Sequence, residues 1–476
     1  MLGILSYGGY VPIWRIDRST IALNSGMGSM GGERSVAARD EDSLTMAVEA
    51  GSDCLAGFDP KDIDGVFFAT ASSPFRQKTA SSIIASALDM RKDVYTFDFT
   101  ASTRGGTSAV RAALDSVKAG SARKILVIAS EHRVAQPSSV FEQLFGDGAA
   151  ALLIGDDGVI AEIEGFRTAS DPIPGPWQME GQDYMKTFEP KLDRLSGVLE
   201  DMPTVTSGLL EELGLTSGDI SKFALAGPDP RSYMDLARVM KFDPKTQLED
   251  PMFSTVGITG TAHCLLMLVG ALEKAKPGDR IVCASLGEGS DAFEVKATDA
   301  ISEVSGKHRG TNYAASKRMI PSYGRFMDWQ GTRDSGWPPN DSSCSVVTFW
   351  REEKWAFPFY GMKCNKCGTI QYPIARTCIN CRTIDDSQEV KIAKRGTVFT
   401  FAHDYLYAHG LIPADGVNPG TRVMSNMEDG CRIWLEMVDC ELDEVKIDMP
   451  IELTFRVLHD KGGYRFYGWR ARPVRG

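Results

Sequence analysis

Residues 94–130 read VYTFDFTASTRGGTSAVRAALDSVKAGSARKILVIAS, and this stretch decides the fold class. Val94 to Phe99 reads as a strand, Thr107–Ala119 as a helix of small residues, and Lys124–Ser130 as a buried strand. The same alternation lies upstream, with a strand at Asp64–Thr70 and a helix at Lys78–Leu88. Strands alternating with helices through residues 1–300 predict an α/β fold with both sheet faces covered. A faint internal echo supports two related halves. KILVIASE at 124–131 resembles DRIVCASLGE at 279–288, and each follows a helix of small and apolar residues.

Composition narrows the function classes. The chain has 476 residues, enough for two or three domains. Its net charge of −11 argues against nucleic acid as a main partner. Met1-Leu-Gly-Ile-Leu-Ser-Tyr7 reads as a strand, without the basic start or cleavage site of a signal peptide. No apolar run reaches membrane-spanning length, so a cytoplasmic protein without a membrane partner is expected. Of ten cysteines, Cys54, Cys264, Cys283, Cys344, Cys431 and Cys440 sit mostly in apolar surroundings, as reduced core residues do.

The other four form two knuckles, Cys364-Asn-Lys-Cys367 and Cys378-Ile-Asn-Cys381. Each Cys-x-x-Cys bend offers two thiolates, and two bends complete a tetrahedral shell for zinc. Four free thiols or two disulfides are the rival readings. A four-thiolate shell keeps no open position, so such a zinc is structural. Residues 301–360 read as a linker with docking helices. They include the Pro- and Ser-rich SGWPPNDSS at 335–343 and the aromatic segment Tyr323–Gln330. Residues 361–390 are then a zinc ribbon. Residues 391–476 hold short β segments at Gly396–Ala402, Arg432–Val438, Ile451–Val457 and Tyr464–Trp469, which suggest a small barrel of the OB type.

Three segments of residues 1–300 carry a more specific likeness: Tyr7–Ile16, Asp40–Ala50 and Phe145–Gly155. They resemble the 3-hydroxy-3-methylglutaryl-CoA synthase branch of the thiolase superfamily. The resemblance implies a five-layered fold of two similar halves, here 1–165 and 166–300. It also implies a homodimer formed through this domain and a CoA thioester substrate. Residues 345–476 resemble the zinc-ribbon and OB-fold proteins that accompany thiolase-type enzymes in acyl-CoA handling. The features are the two knuckles, Pro373 and Arg395-Gly-Thr-Val-Phe-Thr-Phe401. Fusing the two parts raises the effective concentration of one near the other.

The family places a nucleophilic cysteine just after the strand ending in Asp98-Phe99, and Thr103 occupies that position. No cysteine lies between residues 55 and 263. The family's glutamate, histidine and asparagine fall near Ala71, Ala226 and Ile258. These departures from the family pattern, by analogy with relatives that act as aldolases on CoA-linked side chains, point to an aldol or retro-aldol step on an acyl-CoA, which needs a base and enolate stabilisation but no acyl-enzyme. A non-catalytic acyl-CoA-binding or scaffolding subunit is the alternative, and a synthase-like acyltransferase the third reading. Thr103 and the Gly287-Glu288-Gly289 turn are candidates for the site. His263 is a candidate base or a packed core histidine, and His132 a base or a structural residue. Asp183 and Tyr184 are entrance residues or an exposed loop. Asp147 reads as a residue that shapes a turn. Arg104, Arg76 and Lys78 are possible phosphate contacts or solvated charges. Phe399, Phe401, Tyr464, Phe466 and Trp469 are a stacking surface or barrel core.

Overall fold

The computed structural model describes all residues except 173–175, 188, 305, 334–344, 406–419, 462–463 and 476. The stretch 335–343 lies outside the described residues. The chain falls into two compact units. The first holds Met1–Ala37, Asp42–Ala85 and Met90–Thr332, and the second holds Ala38–Glu41, Ser86–Asp89 and Arg333–Gly476.

The first unit is built on one mixed sheet. Its strands are β1 (Gly3–Tyr10), β2 (Gly65–Ala69), β3 (Tyr95–Phe99), β4 (Lys124–Glu131), β5 (Gly148–Gly155), β6 (Ala161–Ser170), β7 (Lys222–Leu225), β8 (Arg280–Gly287) and β9 (Gly289–Ala297). They lie in the order β3-β2-β4-β5-β1-β6-β9-β8-β7. The two halves meet where Gly3 and Ile4 of β1 pair with Glu162 and Ala161 of β6. Outward from that seam, each half runs first, fifth, fourth, second strand. A third strand position follows in both: β3 in the first half, and in the second a parallel bridge from Phe223 to Leu248. The echo noted in the sequence thus joins β4 and β8, the fourth strands of the two halves.

Helices set the layers. The helix α1 (Ser43–Cys54) packs on β1, β4 and β5, while α3 (Met202–Glu212) packs on β6, β8 and β9. Between the halves lie α2 (Gly105–Lys118) and α4 (His263–Leu272), which touch each other. All ten residues of α4 are buried, among them Leu265, Leu266, Leu268 and Val269. A helix that is apolar all round is stable only when enclosed on every side. This is the thiolase-like architecture, with two sheet halves enclosing a central helical layer. The aromatic segment is a helix, Tyr323–Trp329, whose Trp329 packs edge-on against Trp14 at 5.1 Å.

The second unit contains a three-stranded sheet of β10 (Tyr360–Cys364), β11 (Ile370–Gln371) and β12 (Ser387–Lys391). A closed barrel follows, made of β13 (Arg395–Asp404), β14 (Gly420–Met427), β15 (Arg432–Met437), β16 (Pro450–Lys461) and β17 (Tyr464–Pro473). The barrel order is β13-β14-β15-β17-β16, with β15 and β17 parallel. Phe466 and Trp469 are barrel core at 1% and 7% exposure, whereas Phe399 lies outside and Phe401 and Tyr464 are half-buried. No described helix is long and apolar enough to cross a membrane.

Asp147 ties three parts of the first unit together. Its carboxylate accepts hydrogen bonds from the Ala37 N–H at 2.8 Å and the Arg133 N–H at 2.7 Å. Burial opposes its charge, but His132, Arg34 and the amides outweigh burial and hold its pKa below the usual value of 3.8. Asp147→Ala strands buried amide donors and a buried arginine, so a loss of about 3 kcal/mol or more is expected in urea unfolding. The stabilisation from Asp147 is complete above pH 3.8, the unfolded carboxyl value, and fades as pH falls through the lower folded value. The variant should therefore lack that part of the acid sensitivity of the parent chain.

Candidate functional site

Parallel pairing aligns the carboxyl ends of three strands in the first half. Ala69 of β2 stands opposite Phe99 of β3 and Ala129 of β4. In the second half, Leu225 of β7 pairs with Ala284 of β8 in the same sense. Loops leaving such ends are where open α/β sheets collect ligand-binding groups. Here they bring together residues 70–72, 101–104, 131–133, 258–261 and 286–288.

After β3 the chain turns at Ala101, which has a left-handed φ of 72°. Holding a residue with a side chain there costs on the order of 1 kcal/mol. The turn sets Ser102 and Thr103 just ahead of α2. The half-buried Thr103 hydroxyl donates to the Leu286 carbonyl at 2.7 Å. Ser102 Oγ donates to Glu288 Oε2 at 2.7 Å. Thr103 and Glu288, both singled out from the sequence, therefore lie on adjoining loops from opposite halves. Glu288 is exposed at the tip of the β8–β9 hairpin. A Cβ on Gly106 would come within 2.8 Å of the Thr261 carbonyl, so glycine lets α2 approach the loop before α4.

The other candidates are placed differently. His263 is 1% exposed; its Nδ1 accepts from the Thr259 N–H at 3.3 Å, and its Nε2 meets the Tyr233 hydroxyl at 2.9 Å. Burial, aided by the charge of Arg133, lowers its pKa to about 3, so the ring is neutral. His132 is half-buried with Nδ1 3.5 Å from Asp147 Oδ1, and its N–H donates to Ser72 Oγ at 2.9 Å. Tyr184 is half-buried and Asp183 exposed, in the loop closed by the Trp177–Lys186 bridge. Arg104 binds the Ala169 carbonyl at 2.6 Å and pairs with Asp291 at 3.5 Å. Arg76 pairs with Glu180 on the surface.

Of the positions that lack the family's polar groups, Ala71 is exposed, while Ile258 is buried in an apolar cluster with Leu144 and Phe145. Gly257 before it has φ 98°, and a Cβ there would meet the Phe145 carbonyl at 2.6 Å.

One residue in this group escaped the sequence reading. Glu131 ends β4 and is 2% exposed. Its Oε2 accepts from the N–H groups of Ala71 and Thr261, each at 3.2 Å, and its Oε1 accepts from the Thr70 hydroxyl at 3.4 Å. The Thr261 hydroxyl in turn donates to the Ser102 carbonyl at 3.3 Å. The signal available was a carboxylate closing an otherwise apolar strand.

In the second unit the sulfurs of Cys364, Cys367, Cys378 and Cys381 lie within 4.8 Å of one another. The pairs Cys364–Cys381 and Cys367–Cys378 are each 3.6 Å apart. Sulfurs bound tetrahedrally to zinc at ~2.3 Å would be about 3.8 Å apart, so the donor set fits that ion. The two knuckles share one geometry. Gly368 (φ 74°) and Arg382 (φ 62°) take the left-handed turn, and Thr369 and Thr383 each hold a hydroxyl 3.2 Å from a sulfur. The Thr369 hydroxyl and N–H lower the Cys367 thiol to about 6, favouring the thiolate that a metal needs.

Comparison with known proteins agrees with this architecture. Residues 97–172 match the family model of 3-oxoacyl-[acyl-carrier-protein] synthase III. The solved structure titled MvaS in complex with 3-hydroxy-3-methylglutaryl coenzyme A superposes with a TM-score of 0.61 at 17% identity, covering 72% of this chain and 94% of that one. The 3-oxoacyl-[acyl-carrier-protein] synthase III of Aquifex aeolicus gives 0.57 at 21% identity, covering 62% of this chain and 100% of the other. Hydroxymethylglutaryl-CoA synthase of Pyrococcus horikoshii is 31% identical, over 63% of this chain and 88% of its own length. That of Methanopyrus kandleri is 31% identical over 336 residues, which are 68% of this chain and 96% of the relative. Such identity across nearly a whole relative makes this chain, through its thiolase-like unit, a member of the hydroxymethylglutaryl-CoA synthase family.

Proposed function

We propose that the thiolase-like unit makes or breaks a carbon–carbon bond in an acyl-CoA thioester by an aldol-type step, with no acyl group tethered to cysteine. The observation that carries this reading is Thr103. It stands ahead of α2 where the family resemblance expects a thiolate, and no cysteine lies from 55 to 263. The other cysteines of the unit, Cys54, Cys264 and Cys283, are buried. Burial raises the thiol pKa of Cys54 and Cys283, which opposes a thiolate nucleophile. A threonine hydroxyl without a strong base is a poor nucleophile, whereas aldol chemistry asks only for a base and for donors facing the thioester oxygen.

A second reading is acyl transfer of the synthase kind, favoured by the names of the relatives and by the length of the match. The two differ in a covalent intermediate. Incubating the protein with a panel of β-hydroxyacyl-CoA esters, 3-hydroxy-3-methylglutaryl-CoA among them, should release a ketone or aldehyde together with a shorter acyl-CoA. Acid quenching during turnover with labelled acetyl-CoA should leave no label on the Thr103 peptide. Label on that peptide would establish the second reading. CoA binding without turnover across the panel would establish a scaffolding role.

For the four cysteines we propose structural zinc. Protein purified without chelators should carry one zinc per chain by atomic emission. Cys378→Ser should lose it and should lower the melting temperature. Absence of metal in the parent chain would refute the assignment.

For assembly we propose a homodimer through β3. This strand forms one edge of the sheet and presents Tyr95 and Phe97 to solvent at 58% and 46% exposure. A bare aromatic edge is a template for pairing with a second copy. Light scattering should give the mass of two chains, and Phe97→Lys should shift it toward one.

A further inference from the structure

We propose that Glu131 is the catalytic residue that moves the proton in the carbon–carbon bond step. The inference rests on the aldol reading above and names the base that reading lacks.

The geometry begins at Ala71. No carboxylate stands at that position, yet the Ala71 N–H points to one, Glu131 Oε2 at 3.2 Å. The neighbouring strand supplies it, because β2 and β4 end side by side at the Ala69–Ala129 pair. Ala71, which donates to Glu131 Oε2, is exposed, so solvent reaches the loop that covers this carboxylate. Among the described residues, two amide donors fix Oε2, while Oε1 has one long contact, to the Thr70 hydroxyl at 3.4 Å. A carboxylate oxygen has lone pairs for more than one such contact, so Oε1 keeps acceptor capacity. The link to Thr103 is short. Thr261 binds Glu131 through its N–H and the Ser102 carbonyl through its hydroxyl.

Two other candidates have partners of their own. His263 is neutral between Thr259 and Tyr233, and Glu288 holds Ser102 from the exposed hairpin tip.

In the cleavage direction Glu131 takes the proton from the β-hydroxyl of a β-hydroxyacyl-CoA. The Cα–Cβ bond breaks, the carbonyl compound leaves, and the electron pair passes into the thioester enolate. The proton on Glu131 then goes to Cα, giving the shorter acyl-CoA and the original carboxylate. No oxidant, reductant or further reactant is needed. Condensation is the same path reversed.

The test is Glu131→Gln. Its amide oxygen can still accept from Ala71 and Thr261, and its NH₂ can donate to Thr70, so the fold should persist. With the ester turned over fastest in the panel above, general acid–base loss predicts a fall in kcat of about 100-fold or more. CoA binding by calorimetry should stay unchanged. The acid limb of the kcat/KM profile, which reports the carboxylate, should vanish from the residual activity. A loop-stapling role would move neither kcat at constant binding nor the acid limb. Turnover of the variant within about threefold of the parent chain, with the acid limb intact, overturns the proposal and leaves the aldol reading standing. An inactive parent chain overturns both. Should Glu131→Gln fail to fold, Glu131→Asp keeps the charge one methylene further back. Its kcat should fall while KM holds, and an unchanged kcat refutes the role.

Discussion

A carboxylate shut away from water must be satisfied by protein donors, and the end of β4 shows what this demands. Glu131 draws in the amides of Ala71 and Thr261, the N–H of His132 finds Ser72, and that of Arg133 finds Asp147. Three consecutive residues thus pin loops from both halves of the sheet. An unpaired buried polar group costs about 1–3 kcal/mol, so these loops cannot drift apart cheaply. The relative placement of Thr103, Ala71 and the Gly257–Thr261 turn follows from this satisfaction of buried polar groups.

The same frame carries residues that depart from the pattern the resemblance implies. Where the resemblance expects thiolate, glutamate, histidine and asparagine, the chain has Thr103, Ala71, Ala226 and Ile258. Ile258 joins Leu144 and Phe145 in an apolar cluster, and Arg133 stacks on Phe145 at 3.7 Å. The site is more apolar on that side than a hydrogen-bonding asparagine would make it. Polar groups remain on the side of Ser102, Thr103, Glu131 and Glu288, where we propose the proton transfer.

The second unit is organised by different forces. Two knuckles that differ in sequence, one followed by Gly368 and the other by Arg382, adopt one geometry, and each brings two sulfurs into the same cluster. The barrel beside them closes with the pairing of β13 to β16. Closure removes free strand edges, which suits a small module with a limited core.

Much of this was legible in the residues themselves. The strands at 64–70, 94–99 and 124–130 and the helix after Ser102 follow from local periodicity, and the four cysteines from spacing. The strand Gly420–Met427 went unread, because its alternation of Thr, Val, Ser and Met is weak and gains meaning only between β13 and β15. Phe399 and Phe466 looked alike in sequence, but barrel closure buries one and leaves the other outside. Glu131 was hidden at the end of a strand read for its Val and Ile. The chain by itself determined which segments are strands, which thiols cluster and that no cysteine stands ahead of α2, since these depend on spacing and identity alone. Only the tertiary structure decided that Glu131 meets Ala71 and that His263 is sealed against Tyr233, because burial and long-range hydrogen bonding join residues the sequence keeps tens of positions apart.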